Sequence, residues 1–263
     1  MSSLVTAQLN RSLAQDDCTT LSRMEIPTKF VEKAKFVLGV FTDVETEYDF
    51  LLHLMTLTLD SVWRRRMLSR VDFLGEVSVL DLACGTGLVT FEVGRRANAG
   101  SMVVGLDLSS AMLRTAKRNR LRERSNCSIE FVRGVGEFLP FRDGLFNYVT
   151  IGLALRNFAD KLAMFRESLR VLTRSGWFLS VDFVRPESKL VWFLYRFHIF
   201  RVLPVVGRLA SSHWKDTLIY LANSILISMP PEETCGLLGE TGFRYTLSET
   251  MNLGIVVSIG AQK

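Results

Sequence analysis

"VSVLDLACGTGLVT", Val77 to Thr90, is the stretch whose reading decides the fold. An apolar, β-branched run leads into one acidic residue, Asp81, and then into a bend carrying Gly85 and Gly87. A short apolar run bounded by glycines reads as a buried strand. The following "LVTFEVGRRANAG" reads as a helix stopped near Gly100, so the stretch is the first strand, turn and helix of an α/β unit.

The same alternation continues along the chain. Further β segments are "MVVGLDL" from Met102, "IEFVRG" from Ile129, "YVTIGLAL" from Tyr148 and "WFLSVDF" from Trp177. Ser109 is placed to cap the helix that begins "SAMLRTAKRNR". Strands alternating with helices imply a mostly parallel sheet covered on both faces. Outside this region, 29–70 reads as a helical cover and 189–225 as an inserted helical cap rich in aromatic and basic residues. A short helix is expected from Pro231 to its stop at Gly242, followed by two β segments, "FRYTLSET" and "GIVVSIGA". Residues 1–28 read as a mobile leader and 29–263 as a single domain.

Composition narrows the class. With 48% hydrophobic and 22% charged residues the chain is globular, and its net charge of +5 is too small to choose an anionic partner. Cys18, Cys84, Cys127 and Cys235 are scattered, without the spacing of a zinc cluster or a disulfide framework, which points to a reducing, cytoplasmic setting. His53, His198 and His213 have no ligand spacing, so no metal is expected. The most apolar stretch, from Leu190, is broken by Arg196, His198 and Arg201 and is not a membrane span.

Open α/β sheets bind ligands at the carboxyl ends of their strands, which locates a site at Asp81–Gly87. A pyrophosphate at that loop would be repelled by an acidic entrance residue. S-adenosylmethionine, with an ammonium, a sulfonium and a ribose diol, suits Asp81 instead. Asp107, ending the second strand in "GLDLSSAM", suits the ribose hydroxyls as a charged acceptor. Glycine turns are often structural and strand-terminal aspartates often cap helices. The combination of both with the second strand is what favours a cofactor site.

Here the sequence resembles the class I S-adenosylmethionine-dependent methyltransferases, and more narrowly the C-methyltransferases of ubiquinone and menaquinone biosynthesis. The resemblance rests on "DLACGTG", "GLDLSSAML", "EFLPFRDGLFNYVTIGLALRNFADK", "LRVLTRSGW", "RVLPVVGRL" and "YLANSI". It implies a seven-stranded, Rossmann-like α/β sheet with the last strand antiparallel. It also implies S-adenosyl-L-methionine contacts at Gly85, Thr86, Gly87, Asp107, Leu108, Val135, Gly136 and Gly152, with Met112 near the adenine. For catalysis it implies Arg156 and Asn157, with Tyr48 beside them, acting on the ring hydroxyl of an acceptor. A purely structural reading pairs Arg156 with Asp160 at a helix start.

The implied acceptor is a lipid-soluble polyprenyl quinol, met through peripheral membrane contact by the cap. There Trp192, Phe193, Tyr195, Phe197 and Phe200 are interleaved with Lys189, Arg196, Arg201 and Arg208. No nucleic acid is expected, and a homodimer stays open. Several family positions differ, among them Leu52, His53, Val135, Gly136 and Gly152. Two further readings therefore stand beside the quinol enzyme: a methyltransferase on another lipid or small aromatic acceptor, and a catalytically weak cofactor-binding subunit of a biosynthetic complex.

Overall fold

The computed structural model describes residues 28–42, 44–205 and 214–263. Residues 1–27 of the expected leader, Cys18, Arg208 and His213 lie outside the described residues, and Thr28, placed in the leader, begins the first helix. Three helices come first: α1 (Thr28–Thr42), α2 (Tyr48–Thr56) and α3 (Leu59–Leu68). The α/β units follow as β1 (Ser78–Leu82), α4 (Leu88–Arg96), β2 (Met102–Asp107), α5 (Ser110–Arg120), β3 (Ser128–Arg133), β4 (Phe146–Gly152), α6 (Lys161–Val171) and β5 (Leu172–Phe183). The cap contributes α7 (Lys189–Phe197), which runs on through a π turn at His198–Val202, and α8 (Trp214–Leu226). The chain closes with α9 (Pro231–Thr241), β6 (Tyr245–Met251) and β7 (Val256–Gln262).

The seven strands lie in the order β3-β2-β1-β4-β5-β7-β6, with β7 antiparallel to both its neighbours and the other pairings parallel. From β1 the chain winds outward to β3, then returns to place β4 on the other side of β1. That reversal opens a crevice at the carboxyl ends of β1 and β4.

Burial follows position in the sheet. Central β1 is covered on both faces, with Val79 to Leu82 all buried, whereas edge strand β3 alternates buried Ile129 and Phe131 with exposed Ser128 and Glu130. Alternate residues of β1 feed two cores: Leu80 and Leu82 join Met164 and Phe165 of α6 and Leu238 of α9, while Val79 joins Trp63 and Met67 of α3 and Phe91 of α4. A third core joins cover to cap, with Leu51 against Ile199, Trp214, Leu218 and Ala222. Trp214 also donates its indole N–H to Glu47 at 2.6 Å.

Local signals account for most helix ends. Ser109 Oγ accepts from Met112 N at 3.2 Å and starts α5, and Gly242 takes φ +114° to stop α9 where expected. Two expectations need correction. β4 ends at Gly152 rather than Leu155, because Leu153 takes φ +57° and turns the chain into a short 3₁₀ turn. β5 starts at Leu172, directly from α6, rather than at Trp177. The aromatic helix α7 has no fully buried residue, and Leu190, Phe193, Leu194 and Phe197 are 57–69% exposed.

Candidate functional site

The bend after β1 is shaped by three left-handed residues, Ala83 (φ +51°), Gly85 (φ +55°) and Gly87 (φ +95°). Asp107 braces it. One carboxylate oxygen accepts from Gly85 N at 2.8 Å, and the other from Ser109 N at 2.8 Å. Burial pushes the Asp107 carboxyl upward, and these backbone donors pull back toward the charged form. A Cβ on Gly85 would meet nothing within 4 Å, so the loop presents bare backbone to open space.

That space is a cleft of about 1180 Å³, counting its open mouth. Asp81, Gly85, Thr86, Asp107, Leu108, Met112, Val135, Gly136, Gly152, Asn157 and Tyr48 all line it. Gly87 does not; it stands behind the loop as the residue preceding α4, where a Cβ would meet the Phe91 ring at 2.6 Å.

Asp81 has no exposed surface. Its two oxygens accept from Thr90 Oγ1 at 2.6 Å and Thr150 Oγ1 at 2.8 Å, and burial pushes its pKa up to about 7. The carboxylate expected to face an ammonium thus also ties β1 to α4 and β4. Thr86 gives its hydroxyl to Asp49 of α2 at 2.5 Å, linking the cover to the loop. Burial holds the Asp49 carboxyl above its ordinary range.

Arg156 is not on the cleft wall. It is 7% exposed, ion-paired with Asp182 at the end of β5, and donates to Ser224 Oγ at 2.9 Å and Leu153 O at 2.7 Å, beneath the Phe183 ring. Its partner is therefore Asp182; Asp160 instead caps α6 by accepting from Ala163 N at 2.9 Å. Asn157 does reach the cleft, with Oδ1 accepting from Tyr220 of α8 at 2.8 Å. Burial pushes Tyr48 up to about 12, which keeps its phenol neutral.

The charged side chains on the cleft wall are Asp81, Asp107, Glu137 and Arg64. With Arg64 the one guanidinium among the described lining residues, the wall lacks the cluster of cations that a polyphosphate would call for. Across the cleft, Ala34, Val37, Leu38 and Phe41 of α1 make an apolar wall. Among the described residues no three or more His, Cys, Asp or Glu side chains converge on a metal position. Asp49, Arg64, Asp182 and Tyr220 were not singled out from the sequence.

A sheet of this order, with a carboxylate bracing a bare glycine loop and no phosphate cradle, defines a class I S-adenosylmethionine-dependent methyltransferase. Solved structures of the same fold include S-adenosylmethionine-dependent methyltransferases from Thermotoga maritima and Aquifex aeolicus. The first has a TM-score of 0.60 at 16% identity, covering 86% of this chain and 99% of that one. The second has a TM-score of 0.56 at 14% identity, covering 81% and 97%. The chain belongs to the ubiE/COQ5 methyltransferase family, whose pattern it matches over residues 28–263. Relatives include the ubiquinone/menaquinone biosynthesis C-methyltransferases UbiE of Marinomonas sp., 34% identical over 92% of this chain and 96% of that protein, and of Xanthomonas oryzae, 37% identical over 86% and 88%.

Proposed function

We propose that this methyltransferase acts on a ring carbon of a polyprenylated quinol, a demethylmenaquinol or ubiquinone precursor. The observation that carries the reading is the division of the cleft. Its charged half is built on the glycine loop and Asp107, and its apolar half lies under Val37, Leu38 and Phe41 of α1. A zwitterionic cofactor suits the first and an aromatic ring with an apolar tail suits the second.

Bound in the charged half, the cofactor supplies a methyl group activated by its positive sulfur, so orientation of the acceptor carries much of the remaining catalysis. Gly85 leaves the backbone bare for close approach, and Asp107 offers remaining lone pairs to the ribose hydroxyls. Tyr220 engages Asn157 Oδ1, which leaves the amide N–H₂ of Asn157 to donate to the acceptor's ring oxygen. Tyr48, a neutral phenol, is a second donor at the same wall. Arg156, ion-paired with Asp182 and bonded to Leu153 O, braces the turn that carries Asn157 rather than touching the acceptor. On transfer the ring carbon would gain the methyl, the C–S bond electrons would stay on sulfur, and the ring proton would leave to water.

The exposed apolar face of α7 supports delivery from a bilayer surface. Leu190, Phe193, Leu194 and Phe197 lie beside exposed Lys189, Arg196 and Arg201, the mixture favoured at a lipid interface. Among the described residues no helix is long and apolar enough to cross a membrane. A second reading, a cofactor-binding subunit with weak catalysis, is favoured by one observation: the Arg156 guanidinium is neutralised by Asp182.

Transfer of labelled methyl from S-adenosylmethionine to a demethylated quinol in detergent micelles tests the proposal, with mass spectrometry assigning the label to a ring carbon. Tight cofactor binding without transfer to any quinol would support the subunit reading instead.

A further inference from the structure

We propose that Tyr220 is a positioning residue for methyl transfer: reaching in from the cap, it sets which edge of the Asn157 amide faces the cleft, and α1 holds it in that role. The proposal rests on the reading that Asn157 meets the acceptor's ring oxygen. Asn157 is on the cleft wall and Tyr220 is not, so the influence of Tyr220 on an acceptor passes through that amide.

A carboxamide has an accepting edge and a donating edge, and a half-turn about its last bond exchanges them. The Tyr220 hydroxyl donates to Asn157 Oδ1 at 2.8 Å, and burial pushes the phenol up, so it keeps the proton that it shares. With Oδ1 held, the N–H₂ group is the edge left for a ring oxygen. Turned the other way, the amide would set its carbonyl against that oxygen and would disfavour the phenolate form, in which the ring carbon is the better nucleophile.

The phenol is held in its turn by both helices around it. Ser224 stands one turn after Tyr220 on α8 and accepts from Arg156 Nε at 2.9 Å, so one face of that helix engages both Asn157 and its neighbour. From α1, Phe36 and Phe41 meet the Tyr220 ring edge-on, with centroids at 5.6 and 5.8 Å. Phe41 lines the cleft and packs in the same manner on Tyr48, at 5.6 Å, so a single ring spaces the two phenols. Lys33, also on α1, donates to Phe158 O at 2.7 Å and Arg156 O at 3.4 Å, gripping the Asn157 turn on either side. The apolar wall, the cap and the Asn157 amide are thereby packed as one unit. A hydrogen bond that served only to dock α8 would change stability and leave the turnover of the folded enzyme as it was.

Tyr220→Phe removes the hydroxyl and keeps the ring against Phe36 and Phe41. Methyl transfer from S-adenosylmethionine to a demethylated quinol in detergent micelles, at matched folded fraction, is expected to show kcat about three- to tenfold lower, with the quinol KM and the calorimetric cofactor affinity changed less than about twofold. Because the effect runs through Asn157, the same substitution should cost nothing further in an Asn157→Ala background. Wild-type kcat in Tyr220→Phe beside an impaired Asn157→Ala, or a full additional loss in the double variant, would overturn the proposal. Wild-type kcat in Asn157→Ala would remove the reading beneath it and the proposal together. If the wild type methylates no quinol, the quinol reading fails by itself and the amide is read directly, by NMR of the isotope-labelled full chain with S-adenosylhomocysteine and no acceptor. There the Asn157 side-chain order parameter is expected to fall in Tyr220→Phe, and an unchanged value would overturn the positioning role.

Discussion

Replacing Asp81 by Asn tests the central feature of the loop, a carboxyl group sealed between Thr90 and Thr150. Burial raises its pKa from 3.8 to about 7. The folded protein therefore holds this proton more tightly than the unfolded chain. The stabilisation is complete below about pH 4 and is lost as the pH climbs through about 7. With those two values, the wild type loses about 2.5 kcal/mol from this one group between pH 5 and pH 8. The amide cannot ionise, keeps the volume, and accepts from Thr150 Oγ1 as Asp81 does, while its N–H₂ donates to Thr90 Oγ1 with that hydroxyl turned to accept. For a domain of this size about 2.5 kcal/mol corresponds to roughly 5–10 °C in Tm. Scanning calorimetry of both proteins at pH 5 and pH 8 should show the variant gaining that much on the wild type as pH rises. The other carboxyls that burial shifts upward, Asp49, Asp107 and Glu137, are common to both proteins and cancel in the difference. Parallel Tm–pH curves would refute the reasoning, because they would mean that Asp81 stays charged, or stays neutral, across the whole range.

Asp107→Ala should weaken S-adenosylmethionine by about 1.5–3 kcal/mol, read by calorimetry. Gly85→Val should abolish binding, since a β-branched residue would be strained at φ +55° and would fill the open cradle. Arg156→Ala leaves Asp182 buried without its partner and should cost about 3–5 kcal/mol in chemical denaturation, so a loss of activity counts as catalytic only after the folded fraction is matched. Wild type should co-sediment with anionic vesicles at low salt, and glutamine at Lys189, Arg196 and Arg201 together should weaken this by about 1 kcal/mol per residue without altering cofactor affinity. Absence of co-sedimentation at low salt would leave α7 as a lid over a site for a soluble acceptor.

The sheet and the loop were legible because their signals are local. A central parallel strand needs an unbroken apolar run, a bend at positive φ needs glycine, and Ser109 and Gly242 mark helix ends within a few residues of themselves. The rest of the site depends on contacts between distant segments. Asp49 and Thr86 are 37 residues apart, and Arg156 and Asp182 are 26 apart. With Asp160 only four positions away, the sequence offered Arg156 a nearer carboxylate than the one it uses. Arg64 was hidden differently: "WRRR" reads as the solvated face of a helix, and no periodicity says which of three arginines turns inward. The fate of α7 was likewise undetermined, because an aromatic stripe is written the same way for a buried core and for an exposed interface.

The altered family positions have steric counterparts in the fold. At Gly152 a Cβ would stand 2.5 Å from Val89 Cγ2, and at Gly136 it would stand 2.5 Å from the Phe158 ring. Valine and phenylalanine thus take the room that a side chain at either glycine would need, while the backbone at both positions still lines the cleft. Leu52 packs in the apolar core beneath the cover, and the neighbouring His53 contributes its ring nitrogen to Asp60, the residue that holds Arg64. At these positions the backbone of Gly136 and Gly152 lines the cleft, and Leu52 and Val135 present apolar side chains to it. On the proposed function, selectivity among acceptors would rest on the shape of the wall built by α1, Leu52 and Phe158, against which an acceptor ring would have to fit.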